Sequence, residues 1–500
     1  MKAPKKTFRS LIFVLTILAF FFSPLDAGTK AEAYACGGTS CQCAKGDISG
    51  DENINSGDAV LALRIAAELP IGDPPHPADD CERFHGDASC DNVNNSADAV
   101  LIMRRTAELI SAFPCGSLPD EKFYSLLWVT YAPSGNWDPD IGLYPSESSI
   151  CQDLKLLYDT GFRGVITFGA DNVLGQVPSI AKQLGFEGVI MGVWNPRSAE
   201  EMANARAAKD CVDGYCVGNE GLTLPYNWGL DYTYPELVEA INSLRIDTGK
   251  PVTTSEPLPT YYNGCARATA EQLMTLGDWL FPNTHAYWEG ITDPAEACAW
   301  TDNAYRQLWA ARASYGVGDK YVFFKEVGLP TAGCDNCSEA NQADYYLCLS
   351  QTTARFSYFE AFDQNWKDWN PVEPHWGLFR NDRTPKQVID NFGQPRIILR
   401  DVPEINTFDN LYGKVVNVIP SDYRIVVYIK VGSTWWVKPY AAWPLTTIGS
   451  DGGWVADVTT GGIDQTATEY AIFLVEPDYP ATLHDLPLPG TYVTTIRVIR

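Results

Sequence analysis

The sequence predicts a chain of three parts, in which an α/β domain, a (β/α)8 TIM barrel, lies between a small α-helical domain and an all-β, sandwich-like domain. Short apolar runs alternate with amphipathic helical stretches between residues 123 and 396, and helical periodicity disappears after residue 395. An acidic loop is duplicated before the barrel, and 500 residues exceed what one hydrophobic core usually organises. We place the domains at 34–116, 117–396 and 397–500.

The first 33 residues have the composition of a secretory signal peptide. Four basic residues within the first nine positions precede an apolar run at 11–22, and small residues follow it. The run is too short to span a bilayer comfortably, and no later apolar run is long enough. A formal charge of −25 makes nucleic acid and anionic membranes unfavourable partners. We therefore expect a secreted protein, located outside the cell or at its surface.

Fourteen cysteines in an exported chain predict disulfide bonds. Six lie between Cys36 and Cys115 and eight between Cys151 and Cys348, so each group is even and could be closed by its own bridges. The close pair Cys334 and Cys337 would also suit a metal or a redox site. No second CxxC lies at zinc-ribbon spacing, which favours disulfides.

Two acidic segments, which begin at Gly46 and Gly86, repeat almost in register. Oxygen-bearing side chains recur at loop positions one, three, five, nine and twelve, and position seven would offer its backbone carbonyl. Calcium needs six to eight oxygens at about 2.4 Å, and this spacing wraps one loop around one ion. The alternative, an Asx-rich turn that caps a helix, does not explain the duplication. The predicted ligands of two structural calcium ions are Asp47, Ser49, Asp51, Asn53, Asn55 and Asp58 in the first loop, and Asp87, Ser89, Asp91, Val93, Asn95 and Asp98 in the second.

An amphipathic helix is predicted after each loop, and the pair of loop–helix motifs resembles a type I dockerin. Dockerins bind calcium and cohesin modules on scaffold proteins or cell surfaces. The resemblance therefore implies a calcium-binding domain with a cohesin partner. The positions of the usual recognition pairs, Ser56-Gly57 and Ser96-Ala97, match the pattern partly. Intramolecular docking on the rest of the chain is the alternative.

Eight short apolar segments and the helices between them predict the barrel. The strands are expected at 125–131, 164–168, 188–193, 214–217, 251–255, 279–283, 321–325 and 357–362, with helices such as 150–160, 199–209, 234–248 and 302–315. A doubly wound open sheet is the alternative. The sequence has neither a GxGxxG after an early strand nor a GxxxxGK[ST] loop, which argues against nucleotide chemistry.

Polar residues follow several of these strands, at the end of the barrel where such enzymes keep their active sites. Asn219 and Glu220 follow the fourth strand, His285 the sixth, Glu326 the seventh and Glu360 the eighth. Aromatic faces stack on sugar rings, while carboxylates and amides bind hydroxyl groups. The site is therefore predicted to bind a carbohydrate. Five aromatic residues are expected to surround it: Tyr131, Trp194, Tyr287, Trp288 and Trp366.

Glu220 and Glu326 are the predicted catalytic pair, because glycoside cleavage needs one protonated carboxyl and one carboxylate across the anomeric carbon. Glu220 would be the acid/base, with its pKa raised by an apolar site and an ionised partner. Glu326 would be the nucleophile of a retaining reaction, oriented by a tyrosine such as Tyr287. Asn219 would bind the sugar 2-hydroxyl. A carboxylate that merely caps a helix or pairs with arginine is the alternative for Glu326.

The strand ends carry longer motifs: VGNEGL at Val217, VTTSEP at Val252, FPNTHAYWEG at Phe281, KEVGLPTAG at Lys325, and FEAFDQNWK at Phe359, followed by HWGLFRNDRTPK. Together they resemble glycoside hydrolase family 17, the β-1,3-glucanases of clan A. The resemblance implies a β-glucan substrate, no cofactor for catalysis, Glu220 as acid/base and Glu326 as nucleophile. It also implies that Glu360 and Lys367 line the cleft. A glucanosyltransferase of the same fold, or a non-catalytic carbohydrate-binding surface protein, is the alternative.

The remaining candidates are expected to have supporting roles. Glu256, Glu289 and Glu373 are interpreted as solvated or supporting residues, and His285 as a hydrogen-bond donor rather than a metal ligand. Trp300 and Trp309 lie at helical spacing, which favours packing. In the all-β region, strands are expected at 411–419, 423–431, 434–440, 453–458 and 469–475. Its tryptophans would form either a sugar-binding platform or the core.

Overall fold

The computed structural model of the chain describes residues 29–30, 47–49, 53–71, 78–86, 88, 93–94, 96–107, 120–223, 232–400, 402–450 and 452–500. The chain divides into two compact units, one formed by residues 1–34 and 41–115 and the other by 35–40 and 116–500. Most of the predicted signal segment lies outside the described residues, as do five predicted calcium ligands: Asp51, Asp87, Ser89, Asp91 and Asn95. No helix in the described ranges is long and apolar enough to cross a membrane.

The first unit contains three described helices, α1 (Ser56–Ala66), α2 (Asp80–Gly86) and α3 (Ser96–Thr106), and a short antiparallel pair, β1 (Thr29–Lys30) with β2 (Val93–Asn94). A helix therefore follows each acidic loop, as the apolar spacing predicts. Ala59 and Ile65 of α1 and Ala99 and Ile102 of α3 share one buried apolar cluster. Asn55 caps α1 with its side chain, so the acidic loop and the helix are joined by local hydrogen bonds.

The second unit is built on seven parallel strands: β3 (Trp128–Tyr131), β4 (Gly164–Thr167), β5 (Gly188–Val193), β6 (Gly214–Asn219), β7 (Val252–Ser255), β8 (Phe324–Val327) and β9 (Phe356–Tyr358). Their order in the sheet is β7-β6-β5-β4-β3-β9-β8. Residues 280–283 form parallel bridges to Val322 and Glu326 on one side and to Pro257 on the other. This eighth segment joins the two edges and closes the circle, so the predicted (β/α)8 barrel is confirmed.

The barrel interior is packed with large side chains, among them Trp128, Trp279 and Phe323. Two glycines accommodate the indole of Trp128. A Cβ atom at Gly164 would lie 2.2 Å from Cδ2 of this ring, and one at Gly188 would lie 2.4 Å from Cη2. Glycine is therefore required at the start of β4 and of β5, because any side chain there would occupy the space of the ring.

Nine α-helices are described in the second unit, and six of them begin at a side-chain cap that the sequence supplies. The helices are α4 (Asp120–Ser125), α5 (Glu147–Thr160), α6 (Val177–Gln183), α7 (Ala199–Ala207), α8 (Tyr234–Thr248), α9 (Thr260–Asn263), α10 (Ala270–Leu276), α11 (Pro294–Ala311) and α12 (Glu339–Leu349). Ser146, Ser198 and Thr233 cap α5, α7 and α8. The predicted start of α11 at residue 302 is wrong, because Asp293 caps the helix and it begins eight residues earlier, at Pro294, which fits its first position.

After the barrel, the chain forms two antiparallel sheets. One consists of β10 (Arg396–Leu399), β11 (Leu411–Val416) and β15 (Gly453–Ala456). The other consists of β12 (Arg424–Val431), β13 (Thr434–Lys438), β14 (Leu445–Thr447), β16 (Glu469–Val475) and β17 (Thr494–Ile499). Leu411 and Trp454 of the first sheet share a buried cluster with Ile425 and Ile472 of the second. The Arg396 guanidinium donates to the Tyr346 hydroxyl and so ties this region to the barrel.

The cysteines of the barrel are paired only in part. Disulfides join Cys298 to Cys348 and Cys334 to Cys337, and Cys151 and Cys211 are also disulfide-bonded. Cys216 and Cys265 are free, so the expectation that the eight cysteines close their own bridges is wrong for these two. Cys216 packs in the apolar barrel interior, where a thiol behaves as a small hydrophobic group.

A buried ion cluster at the start of β6 predicts a strong effect on stability. Asp213 is fully buried and accepts hydrogen bonds from Lys122 (2.6 Å), Lys182 (2.8 Å) and the Val189 N–H (2.7 Å). Burial alone would raise the pKa of Asp213, but the two lysines outweigh it and lower this pKa.

We expect Asp213→Asn to reduce the free energy of unfolding by about 3–5 kcal/mol in neutral buffer, measured by urea denaturation, because two partly buried cations lose their anion. Asp159→Asn removes the exposed pair with Lys155 and should cost less than about 1 kcal/mol. Because the pKa of Asp213 is lower in the folded state than in the unfolded state, its ionisation stabilises the protein at pH values above the unfolded-state pKa. This contribution is lost as the pH falls through the folded-state pKa. The difference between wild type and Asp213→Asn should therefore shrink in acid, and a constant difference would contradict the prediction.

Candidate active site

Glu220 lies just beyond β6 in an uncommon backbone conformation. Its φ angle is +57°, in the left-handed region that costs a non-glycine residue about 1–2 kcal/mol. Its N–H donates to the Ser255 carbonyl at 2.8 Å, and Asn283 Nδ2 donates to its Oε1 at 2.8 Å. The same Asn283 nitrogen lies 3.1 Å from Asn219 Oδ1. The neighbouring strands therefore hold both the backbone and the carboxyl group of Glu220 in place.

Glu326 lies at the carboxyl end of β8 and is held by two basic side chains. Its Oε1 accepts a hydrogen bond from Lys325 Nζ at 3.0 Å, and His285 Nε2 lies 3.3 Å from its Oε2. Lys325 is also buried and donates to Asn219 Oδ1. One network thus connects the end of β6, which carries Glu220, with the end of β8. His285 interacts with a carboxylate here, in agreement with its predicted role as a donor.

The pKa values of the two glutamates are shifted in opposite directions. Burial and the negative charge of Glu326 raise the pKa of Glu220, and the opposing effect of Asn283, His285 and Lys325 is smaller. Burial would also raise the pKa of Glu326, but Lys325 and His285 lower it to about 2. At neutral pH the site therefore contains an ionised Glu326 beside a carboxyl group with an elevated affinity for protons. This is the arrangement that an acid and a nucleophile need.

Two further carboxyl groups, those of Glu360 and Glu373, interact electrostatically with Glu326. Glu360 is fully buried after β9, and its Oε1 lies 2.9 Å from Lys367 Nζ. Among the described residues, its Oε2 has no hydrogen-bond partner. Burial raises the pKa of Glu360 to about 7, although Lys367 opposes the shift. Glu373 is half-buried within electrostatic range of Lys367, His285 and Glu326, and burial raises its pKa. Glu373 therefore belongs to the site, which its position two residues before the HWGLF motif could have indicated.

Glu256 and Glu289, which the sequence analysis also interpreted as solvated or supporting residues, differ in burial. Glu256 is fully buried, and its carboxyl oxygens accept from the backbone N–H groups of Leu222 (3.0 Å) and Thr223 (3.2 Å). Burial raises the pKa of Glu256 to about 8, so it is largely neutral near pH 7. It braces the loop that follows Glu220, in agreement with a supporting role. Glu289 is exposed at the end of the 3₁₀ turn Ala286–Glu289.

Four of the five predicted aromatic contacts are accessible. Trp288 is 52% exposed, and Trp194, Tyr287 and Trp366 are half-buried. Tyr131 is the exception: it is 2% exposed and its hydroxyl donates to the buried Asp153 at 3.0 Å. Its assignment to the sugar-contacting ring is therefore wrong, because a side chain enclosed in this way has no open face.

Tyr287 does not have the orienting role that the sequence suggested. The hydrogen bonds found for the Glu326 carboxylate come from Lys325 and His285. The Tyr287 ring packs edge-on against Trp288 and Trp376 instead, with centroids 4.8 and 5.9 Å away. Trp376, which the sequence did not single out, is 1% exposed and also packs 5.0 Å from the His285 ring. It therefore supports the side chains around Glu326.

Three predicted ligands of the first calcium loop lie together in the described part of the chain. Ser49 Oγ donates to Asp47 Oδ1 at 3.3 Å, and the Ser49 N–H donates to Asp58 Oδ1 at 3.0 Å. Asp58 also accepts from the N–H groups of Ile48 (3.0 Å) and Asn55 (2.9 Å). These oxygens suit a hard cation, but Asp58 already closes the loop without one. Within the described ranges, no group of three His, Cys, Asp or Glu side chains has the arrangement of a metal site.

Comparisons with known proteins concern the barrel. A family model described as the BtgE/BtgC glycoside hydrolase domain matches residues 129–377, which include Glu220 and Glu326. The chain is 29% identical over 235 residues to a glucan 1,3-beta-glucosidase of Arthroderma benhamiae, covering 41% of this chain and 72% of the relative. It is 25% identical over 247 residues to a glucan 1,3-beta-glucosidase of Candida albicans, covering 44% and 78%. A family 17 beta-1,3-glucanosyltransferase structure from Rhizomucor miehei aligns at 22% identity and a TM-score of 0.42, covering 53% of this chain and 97% of that one.

Proposed function

We propose that the protein is a secreted glycoside hydrolase that cleaves β-1,3-glucan by a double displacement, with Glu326 as nucleophile and Glu220 as acid/base. One observation carries this proposal: two buried glutamates at the mouth of the barrel are joined by one network, and their pKa values are shifted in opposite directions. The similarity of the barrel to glucan 1,3-beta-glucosidases supports the choice of substrate. The apolar N-terminal run supports secretion.

In the first step, the Glu326 carboxylate attacks the anomeric carbon and forms a glycosyl ester. Glu220 gives its proton to the departing glycosidic oxygen. In the second step, the ionised Glu220 takes a proton from water, and this water attacks the anomeric carbon and releases Glu326. Lys325 and His285 keep Glu326 ionised in a buried place where burial alone would favour its protonated form. Two inversions at one carbon give net retention.

The substrate contacts follow from the groups around this pair. Asn219 Oδ1 accepts from Lys325 and Asn283, so its amide nitrogen remains to donate to the sugar 2-hydroxyl. Trp288 offers the most exposed aromatic face of the predicted ring. Trp366 is held by a hydrogen bond from its Nε1 to Gln364 Oε1 at 2.8 Å, which fixes its face at the site. Rigid aromatic faces bind sugar rings with little loss of side-chain entropy.

Product analysis tests the proposal. Purified protein is incubated with β-1,3-, β-1,4- and mixed-linked glucans, and the anomer released first is followed by proton NMR. We expect cleavage of the β-1,3-linked polymer with the β-anomer formed first. An initial α-anomer would overturn the double displacement, and no cleavage of any polymer would favour a non-catalytic carbohydrate-binding protein. Products longer than a supplied laminarioligosaccharide would identify a glucanosyltransferase, in which a sugar replaces water in the second step.

The pKa shifts predict a broad pH optimum for kcat/KM. The reactive form needs Glu326 ionised and Glu220 protonated, so activity falls below the pKa of Glu326 and above that of Glu220. Because Lys325 and His285 lower the first pKa to about 2, kcat/KM should not decline through mildly acidic pH. Lys325→Met removes the nearest positive charge and should move the acidic limb of the profile to higher pH. An unchanged acidic limb in that variant would contradict the assignment of Glu326.

We also propose that the N-terminal domain binds two structural calcium ions, and that it docks either on a cohesin or on its own chain. Asp47, Ser49 and Asp58 would hold the first ion together with Asn55 and the Asn53 carbonyl. Asp98, which is fully buried, would hold the second.

Titration calorimetry of the EDTA-treated protein should show calcium binding, and Asp47→Ala should weaken it at least tenfold at one site. Asp47 is the better test residue, because Asp58 also accepts three backbone hydrogen bonds and its loss would disturb the loop without any metal. No heat of binding in the wild-type protein would overturn the proposal.

A further inference from the structure

A small pocket lies beside the catalytic centre, between the loop after β7 and the helix α11. Its volume is about 170 Å³, below the roughly 300–1,000 Å³ of pockets that enclose drug-sized ligands. A single ring therefore fits better than an oligomer. The aromatic and polar residues that line the pocket are Tyr262, Asn263, Glu289, Trp300, Asn303 and Gln307.

The pocket joins an aromatic wall to polar groups. Trp300 is half-buried on α11, and the half-buried Tyr262 faces the same space from α9. The Tyr262 hydroxyl is buried and has no hydrogen-bond partner in the part of the chain that the structure describes. Asn303 and Gln307 are exposed one turn apart on α11 and add two amides. A ring that stacks on Trp300 would meet both donors and acceptors at its edge.

The charges of the lining exclude other ligand classes. The lining has no Lys, Arg or His, so a phosphate or a carboxylate would find no positive charge there. Glu289 is the single carboxylate of the lining, which is too few anionic oxygens for a divalent cation. Amide, hydroxyl and carboxylate groups beside an aromatic face suit a neutral molecule with several hydroxyl groups.

Trp300 differs from Trp309 on the same helix, although the sequence analysis predicted a packing role for both. Trp309 stacks on Tyr305 with centroids 6.1 Å apart, and the Arg312 guanidinium lies 3.5 Å from its ring. Trp309 thus packs against both side chains, in agreement with the predicted packing role. Trp300 instead lines a pocket, so the packing interpretation does not extend to it.

The pocket is anchored to the catalytic strands. The Leu258 N–H, in the pocket wall, donates to the Asn283 carbonyl at 2.9 Å, and Asn283 holds Glu220. Glu289 ends the 3₁₀ turn that carries Trp288. The pocket therefore opens at the same end of the barrel as the catalytic pair, one loop away from it.

We propose that this pocket is a second carbohydrate-binding site, which takes one neutral hexose unit of a glucan outside the catalytic centre. The identity of the sugar rests on the proposed function. Such a site would hold a long polymer near the catalytic pair and would contribute nothing to the turnover of a short oligosaccharide.

The test compares Trp300→Ala with Phe408→Ala, a matched control in which an aromatic residue that is 72% exposed is removed from the chain after the barrel. Binding to insoluble β-1,3-glucan is measured by depletion, with each variant made in a full-length chain that also carries Glu326→Gln. Hydrolysis of laminarin and laminaritriose is measured with the same variants in a chain that keeps Glu326. We expect Trp300→Ala to weaken depletion binding three- to tenfold and to raise KM for laminarin by a similar factor. Its kcat/KM for laminaritriose should stay within twofold of wild type, and Trp300→Phe should restore binding.

Unchanged depletion binding by Trp300→Ala would overturn the inference and leave the proposed function intact. An equal loss of kcat/KM on laminaritriose would also overturn it, because the residue would then act within the catalytic cleft. If Trp300→Ala does not fold, the double variant Asn303→Ala/Gln307→Ala on the exposed face of α11 replaces it, with the same expectations. If the wild-type chain hydrolyses no glucan, the proposed function fails, and the depletion assay still decides the pocket.

Discussion

Replacement of Glu326 by glutamine should lower kcat on laminarin by roughly 10⁴-fold or more, because the amide cannot form the glycosyl ester. The substitution keeps the shape of the side chain, and Lys325 and His285 remain as neighbours. The loss should therefore appear in kcat. Thermal stability should also fall, because the buried Lys325 loses its anion. Steady-state kinetics of reducing-sugar release check this result. Turnover at the wild-type rate would contradict the nucleophile assignment.

A chemical rescue distinguishes a lost nucleophile from general damage to the site. In Glu326→Gly, added azide can occupy the space of the carboxylate and attack an activated aryl glucoside of β-1,3-linked glucose units. One displacement then replaces two, so the glycosyl azide should have the inverted, α configuration. Glu271→Gln, on the exposed first turn of α10, serves as the control and should retain wild-type activity. A β-azide from Glu326→Gly would mean that another carboxylate forms the ester.

Glu220→Gln should lower kcat on laminarin by about 10²–10⁴-fold, the usual contribution of a general acid. Glutamine cannot protonate the departing oxygen, although it can still accept the hydrogen bond from Asn283. The effect should depend on the leaving group. The dinitrophenolate of a 2,4-dinitrophenyl glycoside departs without a proton. The formation of the glycosyl ester from this substrate should therefore be close to the wild-type rate, and it should appear as a burst of dinitrophenolate.

The comparison of the two variants makes this prediction specific. Glu326→Gln should lose activity on both the polymer and the dinitrophenyl substrate, since both need the nucleophile. An equal loss on both substrates for Glu220→Gln would show that Glu220 positions the substrate and does not protonate it. The left-handed backbone of Glu220 makes such a positioning role worth testing, because the surrounding strands stabilise a strained residue there.

Local patterns were sufficient to predict the strands of the barrel and to place the two glutamates at strand ends. Each strand is a short apolar run followed by polar residues, and this pattern is visible without any neighbour in space. The limits of the elements were less predictable. The strand predicted at 279–283 forms only isolated bridges. The strand β9 ends at Tyr358 rather than at residue 362, because the next residues pair with the loop that contains Phe379. Pairing partners decide where a strand ends, and they are distant in sequence.

The sequence by itself determined that Glu220 and Glu326 lie at the ends of buried strands, since hydrophobic periodicity is a local property. Only the tertiary structure decided which groups surround them. Lys325 precedes Glu326, and the side chains of adjacent residues on a regular strand face opposite sides. The pairing of β8 with β9 shifts register between Phe324 and Val327, so the strand is irregular here. Lys325 therefore reaches the Glu326 carboxylate. The burial of Tyr131 and the approach of Glu373 depend in the same way on contacts between distant segments. Electrostatic energy depends on distances and burial, which the linear order of residues does not contain.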